Sequence, residues 1–399
     1  MSQESHQFFF PMKNVIQDYA WGSTTSINQL FGIKNPDGKP QAEIWMGAHP
    51  NGCSTIVENG EEQLLSDFIN LDKSGILTVE TDTQFGELPY LFKVLAAEQA
   101  LSIQVHPSKE QAEIGFQKEE QAGIARNAAN RNYKDPNHKP ELVYALTSYQ
   151  AMNGFREFSN ILELFQQVNV PSLTAMVDAF AKQTDEQGLE AFFASILSLE
   201  GDIKECAVRD LLAYAEENNS DPLFALILEL SGQYPGDIGL FCPLMLNVLT
   251  LQPGEAMFLD ACTPHAYIKG TGLEIMANSD NVLRSGLTPK YMDVEELVAC
   301  TRFAVKPESE LLNTPENKDG GLYYPVPVED FKFAVFDNIE SLPLTMASAE
   351  ILMPLDSHLT VSHHSGERVT VKKGQSLFVP AYAGKYQITS QGRVARAFN

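Results

Sequence analysis

The spacing of apolar and polar positions changes twice along the chain. Up to about residue 150, short apolar runs alternate with turn signals. Leu88 to Leu95, Leu101 to His106 and Glu141 to Leu146 read as strands. Lys109 to Arg126 carries helical spacing but is polar, which predicts a surface helix. From Glu157 to about Ser231 the period becomes helical: Ile161, Leu164, Phe165 and Val168; then Phe192, Phe193, Ile196 and Leu197; then Val208, Leu211 and Leu212. Pro171 and Asp221-Pro222 mark helix starts within it. After Pro235-Gly236-Asp237 the strand pattern returns and runs to Asn399. The expected organisation is a β domain formed by 1–155 with 236–310, a helical insertion over 156–235, and a second β unit over 311–399.

The β part holds a short internal echo. Gly254 and Gly374 each follow a strand and precede another, and His265 falls eleven residues after the first as Lys385 does after the second. This suggests two related β-barrels, of which only the first keeps a histidine at that place.

Composition adds limits. With 399 residues, 44% hydrophobic and 20% charged, the chain can bury large cores without staples. Lys plus Arg is 28 against Asp plus Glu 52, a formal charge of −24, which disfavours nucleic acid and anionic lipid as partners. Cations that gather on one polar surface therefore stand out. The five cysteines are scattered with no CxxC pair, against a disulfide framework or a thiolate metal site. Met1 to Met12 lacks a basic region followed by an apolar core, and Ile238 to Leu251 is too short to span a bilayer. A reduced cytoplasmic protein, with no membrane and no obligate protein partner, is expected.

Three β segments offer chemistry. Strand alternation puts Ser102, Gln104 and His106 on one face, away from Leu101, Ile103 and Val105. His138-Lys139-Pro140-Glu141 places Lys139 and Glu141 on a shared face. Pro264-His265-Ala266-Tyr267 opens a strand expected to run into a Gly270-Thr271-Gly272 turn. Singly, each has a plainer reading: a solvated strand face for Gln104 and His106, a surface ion pair for Lys139 and Glu141, and a hydrogen-bonded structural residue for His265. Jointly the segments supply two His, one Glu and one Gln without Cys, a donor set for Zn²⁺ that Mn, Fe, Co or Ni could also use. Arg284 and Lys290, with Lys93 and Lys139, suit a phosphate-sized dianion.

These residues lie in stretches that resemble the type I phosphomannose isomerases of the cupin superfamily. The first is Asn132 to Leu142; the second runs from His265-Ala266-Tyr267 through Leu273 to Ala277 and on to Lys290. Tyr19-Ala20-Trp21-Gly22, Ala42 to Pro50 and Leu91 to Leu95 fit the same pattern. The resemblance implies a mainly β fold with an inserted α-helical domain and two cupin-like, jelly-roll type β-barrels. The C-terminal barrel, degenerate in lacking the histidine, is expected to be structural and to cover the first one's open side. It implies one Zn²⁺ held by Gln104, His106, Glu141 and His265, with Arg284 as active-site arginine. Lys93, Ser102, Lys139, Asp280 and Lys290 would line the same cavity. The implied reaction interconverts mannose 6-phosphate and fructose 6-phosphate through an enediol, with the zinc and Arg284 stabilising charge on the reacting oxygens. Glu274, His138 and Lys139 are the candidates for moving the proton, and the sequence does not choose among them. Ser285 departs from the family's Ala and is expected to leave activity intact. An iron-dependent cupin oxygenase and a non-catalytic sugar-phosphate sensor are the competing readings; Gln104 with the cationic cluster speaks against the first, and the full ligand set against the second.

Overall fold

A computed structural model describes residues 6–399, so the first residues of the segment read for a leader lie outside it. The strand Tyr90–Ala97 is apolar at every position but Lys93 and is buried throughout. It sits inside a ten-stranded antiparallel sheet between Glu43–Met46 and His265–Ala277.

His265–Ala277 organises that sheet. Its first residues pair with Ile103–Val105 and Tyr149–Phe155, and its later ones with Tyr90–Ala97 and Glu141–Ala145. The turn expected at Gly270 to Gly272 is not there. The strand continues through a register shift between Tyr267 and Lys269, and Gly270 takes φ +124°. A Cβ on Gly270 would fall 2.4 Å from the Ser148 carbonyl oxygen, so glycine permits the close approach that lets one strand serve both ladders.

The helical segment forms as its periodicity predicts: Phe158–Val168, Thr174–Lys182, Glu186–Leu197, Gly201–Glu217 and Pro222–Gln233. Asp221 caps the last of these by accepting from Leu223 N, with Pro222 in the first turn. Their apolar faces bury Phe165, Phe192, Phe193 and Leu211 against Ile103, Val105, Met152 and Ile268, the strand residues whose neighbours face the other way. The polar helix spans Lys109–Gln121 and stops short of Arg126; a capping box between Ser108 and Gln111 fixes its start.

The C-terminal strands form a sandwich of a nine-stranded and a four-stranded sheet. The nine-stranded sheet crosses the boundary expected at residue 311, because Phe10–Lys13 pairs with Ser376–Val379, and Thr55–Glu58 pairs with Phe10–Lys13. The internal echo has a structural counterpart. Gly254 and Gly374 both take positive φ, and each precedes a short strand, Ala256–Leu259 and Ser376–Val379. His265 and Lys385 then each begin the next strand.

The expectation that the second β unit covers the first one's open side is overturned. Phe331, Phe333, Ile351 and Phe378 pack against Phe92, Val94, Leu142 and Ile275, the outward side chains of the central strands. That contact is to the apolar outer face, and no residue beyond Lys290 lines the main cavity.

Candidate metal centre and its cavity

A cavity of about 1070 Å³ opens on the inner face of the ten-stranded sheet. Its floor is made by alternate residues of the strands just described. His106, Glu141 and His265 meet there, all buried, with one potential ligand atom from each lying within 4.8 Å of the others.

The hydrogen bonds of the two imidazoles define what they present. His106 Nδ1 lies 2.7 Å from the Asn281 carbonyl oxygen, and His265 Nδ1 lies 2.9 Å from that of Thr263. A carbonyl only accepts, so each Nδ1 carries the proton and each Nε2 is a lone pair. Those lone pairs face Glu141: His106 Nε2 is 3.2 Å from Oε1 and His265 Nε2 is 3.5 Å from Oε2. Burial, then Lys139, pushes the His106 imidazolium pKa down to about 4, which keeps the ring neutral. His106 Nε2 has no hydrogen-bond partner. Two imidazole lone pairs aimed at one carboxylate repel unless a cation sits among them, so the three residues fit a divalent metal.

Gln104 extends the set. It is the register partner of both His265 and Arg284 in the neighbouring strands and lines the cavity. Its amide nitrogen donates to Ser102 Oγ at 3.1 Å, which leaves its carbonyl oxygen as the atom it can offer.

Burial alone would raise the Glu141 pKa, but the Lys139 ammonium beside it holds it well below the usual carboxylate range. Lys139 Nζ stands 3.2 Å from Glu141 Oε1. Tyr267 donates to Glu141 Oε2 at 2.5 Å and lies 3.1 Å from Glu274 Oε1. Glu274 also meets Lys93 Nζ at 3.0 Å, and Lys93 meets Glu43 at 3.6 Å. Burial pushes the Glu274 carboxyl up to about 7, Lys93 pulling it back and Glu141 and Glu43 adding to the rise. Burial disfavours the Lys93 ammonium, yet Glu274, Glu43 and Glu141 hold its pKa above the usual value.

At the mouth stand Lys134, Arg284, Lys290 and Asp280. Burial lowers the Arg284 pKa with no carboxylate to offset it; burial, Arg284 and Lys134 lower that of Lys290. The turn that leads from the Arg284 strand to Lys290 is tied down by Asp237, which accepts from Leu287 N at 2.7 Å and Thr288 N at 3.0 Å. Asp280 is engaged by His49 at 3.3 Å and by Asn51 at 3.1 Å.

Of the residues singled out from the sequence, Lys93, Ser102, Gln104, Lys139, Glu141, His265, Glu274, Asp280, Arg284 and Lys290 line this cavity. His106 joins them through the cluster at its floor. His138 does not. Its Nε2 binds both carboxylate oxygens of Asp330 at 2.9 Å, because consecutive extended residues point to opposite sides and Lys139 takes the inner one. Ser285 is also fully buried and absent from the cavity wall, and its hydroxyl has no partner.

Sequence reasoning missed Tyr267, Glu43, His49 and the Asn281 carbonyl as parts of this site. Tyr267 had a usable signal, its position two residues after His265 on one strand. Glu43 and His49 had none, since their arrival depends on the pairing of Glu43–Met46 with Tyr90–Ala97.

Comparison with known proteins agrees with this arrangement. Residues 9–158 match the phosphomannose isomerase type I catalytic domain, 164–246 its helical insertion domain, and 322–399 the mannose-6-phosphate isomerase cupin domain. The chain is 47% identical to the mannose-6-phosphate isomerase of Escherichia coli over 388 residues, covering 97% of this chain and 98% of the relative. It is 36% identical to that of Bos taurus, covering 94% of each. A zinc-bound crystal structure of mannose 6-phosphate isomerase superposes with a TM-score of 0.94 at 46% identity, covering 98% of this chain and all of the other.

Proposed function

The chain belongs to the type I phosphomannose isomerase family, and from that premise we propose that it interconverts D-mannose 6-phosphate and D-fructose 6-phosphate with one zinc ion per chain. The observation that carries the reading is the convergence of two neutral imidazole lone pairs on Glu141. Gln104, His106, Glu141 and His265 would hold the zinc. Bound there, the ion would supply a Lewis acid to the sugar's reacting oxygens, a stabilisation worth several kcal/mol by general precedent.

The chain's own residues supply the rest. Arg284, Lys290 and Lys134 form a cationic rim in an otherwise acidic protein, suited to the phosphate. Arg284 is half-buried and pairs across the sheet with Gln104, so it also stands near the reacting end as fixed positive charge. It is too basic to accept a proton.

Isomerisation removes the proton on C2 of the open-chain aldose, yields an enediol, returns a proton to C1 and leaves a carbonyl at C2. The group that carries the proton should titrate near neutrality and reach the sugar. Glu274 meets both needs: it lines the cavity and its carboxyl is pushed up to about 7. Lys93 holds one of its oxygens; the other lies against the Tyr267 hydroxyl, which donates its single proton to Glu141 and can accept from Glu274 when that carboxyl is protonated. Lys139, held on Glu141, orients that ligand and faces the same space.

A coupled assay of mannose 6-phosphate conversion tests the reading. Turnover should require the phosphate. Equal turnover of free mannose would refute the role given to the cationic rim.

A further inference from the structure

One cation on the cavity wall has no part in the reaction described above. Arg126 lines the cavity beside Asn127, on the loop that follows the helix Lys109–Gln121. The stem of that loop is fixed. The Arg131 side chain is fully buried, donates to Tyr133 O at 2.6 Å and to Ile124 O, and pairs with Glu119 at 2.9 Å and Glu120 at 2.8 Å. The tip closes on itself, Ala128 N donating to Ala125 O at 2.9 Å and Arg131 N to Ala128 O at 3.1 Å. Arg126 is thus presented at the mouth from a rigid base.

Its present partner is easily given up. Arg126 Nε and Nη2 reach the Glu120 carboxylate at 3.1 and 3.3 Å, with the Arg126 side chain 64% exposed. Exposed pairs of this kind are weak. Glu120 is shared with Arg131, so it stays paired when Arg126 leaves. The same guanidinium packs 4.9 Å from the Phe116 ring centroid, an exposed cation–π contact that is also weak and would be given up on turning. A phosphate among Lys134, Arg284 and Lys290 would offer Arg126 a bidentate dianion in place of a shared carboxylate.

We propose that Arg126 is a further substrate-binding residue that moves from Glu120 to the phosphate of the bound sugar and strengthens the preference for dianionic substrates. The inference rests on the sugar-phosphate reading above. Its test is the Kd of mannitol 6-phosphate, which cannot isomerise, and of phosphate-free mannitol, beside the steady-state constants for mannose 6-phosphate.

In Arg126→Ala the Kd of the hexitol phosphate and the KM should rise about three- to tenfold with kcat nearly constant, the signature of lost ground-state binding. Arg126→Lys should recover part of the loss. Glu120→Gln should release Arg126 while Arg131 keeps Glu119, and so lower KM. An unchanged Kd in Arg126→Ala overturns the proposal. So does a Glu120→Gln variant that loses affinity equally, since that would make the pair merely structural. If the unaltered chain bound mannitol 6-phosphate but turned nothing over, the isomerase reading would fall. A weakened Kd in Arg126→Ala would still support the role of Arg126.

Discussion

Glu141 in the first β unit and Glu350 in the second are both buried carboxylates with a tyrosine hydroxyl laid against them, Tyr267 in one and Tyr386 in the other. They are completed differently. Arg396 grips Glu350 through Nε at 2.8 Å and Nη2 at 2.6 Å, a fork that occupies the carboxylate with fixed hydrogens. Around Glu141 the partners at the same depth are two imidazole lone pairs and one lysine amine. A guanidinium closes its carboxylate for good. Imidazole lone pairs leave a place that only a cation can fill. The second unit keeps the turn glycine of the first and the short strand after it, but Lys385, which stands where His265 does, is exposed. One histidine of that unit, His363, is buried, and its nitrogens are met by Ser365 and the Ala383 carbonyl. The difference between a metal centre and a structural ion pair here lies in which atoms face the carboxylate, and both kinds of site are equally buried.

That contrast can be broken from either side. The largest effect should come from Glu141→Gln, which should lose bound zinc and lower kcat by a factor of about 1,000 or more, because the Lewis acid at the reacting oxygens goes with it. In the second unit, Arg396→Met should leave zinc per folded molecule unchanged and cost about 3–5 kcal/mol of unfolding free energy, since Glu350 would be left buried without its cation, with only Tyr386 against it. Metal analysis and urea titration read the two outcomes. If Arg396→Met released the zinc, or Glu141→Gln kept it, the division of labour would be wrong.

A smaller effect tests the link between Glu141 and Glu274. Removing the hydroxyl in Tyr267→Phe should weaken zinc affinity or turnover by about ten- to a hundredfold, the usual scale for groups behind a metal ligand. The pH profile sharpens this. With its carboxyl at about 7, Glu274 is protonated on the acid side, so kcat/KM should climb as pH rises through neutrality, and Glu274→Gln should abolish both the activity and that limb. The same shift has the opposite sign for stability. A carboxyl raised above its unfolded value binds its proton more tightly when folded, so that contribution is present at low pH and is lost as pH rises toward 7.

The smallest effect belongs to Ser285→Ala. It deletes a fully buried hydroxyl with no partner and should raise stability by up to about 1 kcal/mol without changing kcat, as thermal unfolding and the coupled assay would show.

Much of the site could be read from the sequence because it rests on local rules. Alternation along Leu101 to His106 places Gln104 and His106 together, and the change to helical spacing after Glu157 marks the insertion. The rest is non-local or carried by backbone. Nothing about Asn281 as a residue type says that its carbonyl will fix the His106 tautomer. Glu43 and His49 reach the cavity only through strand pairing across half a domain. His138 looked available because it neighbours Lys139, yet one step along an extended chain turns it to Asp330. Gly270 to Gly272 read as a turn because glycine marks turns, whereas here it allows two ladders to share a strand.

The most direct test is the zinc content and mannose 6-phosphate turnover of the unaltered protein beside His265→Ala, each purified without added metal. The account predicts about one zinc per chain with turnover in the first, and loss of both in a still-folded second. Zinc retained in His265→Ala, iron in place of zinc, or one zinc without turnover would contradict it.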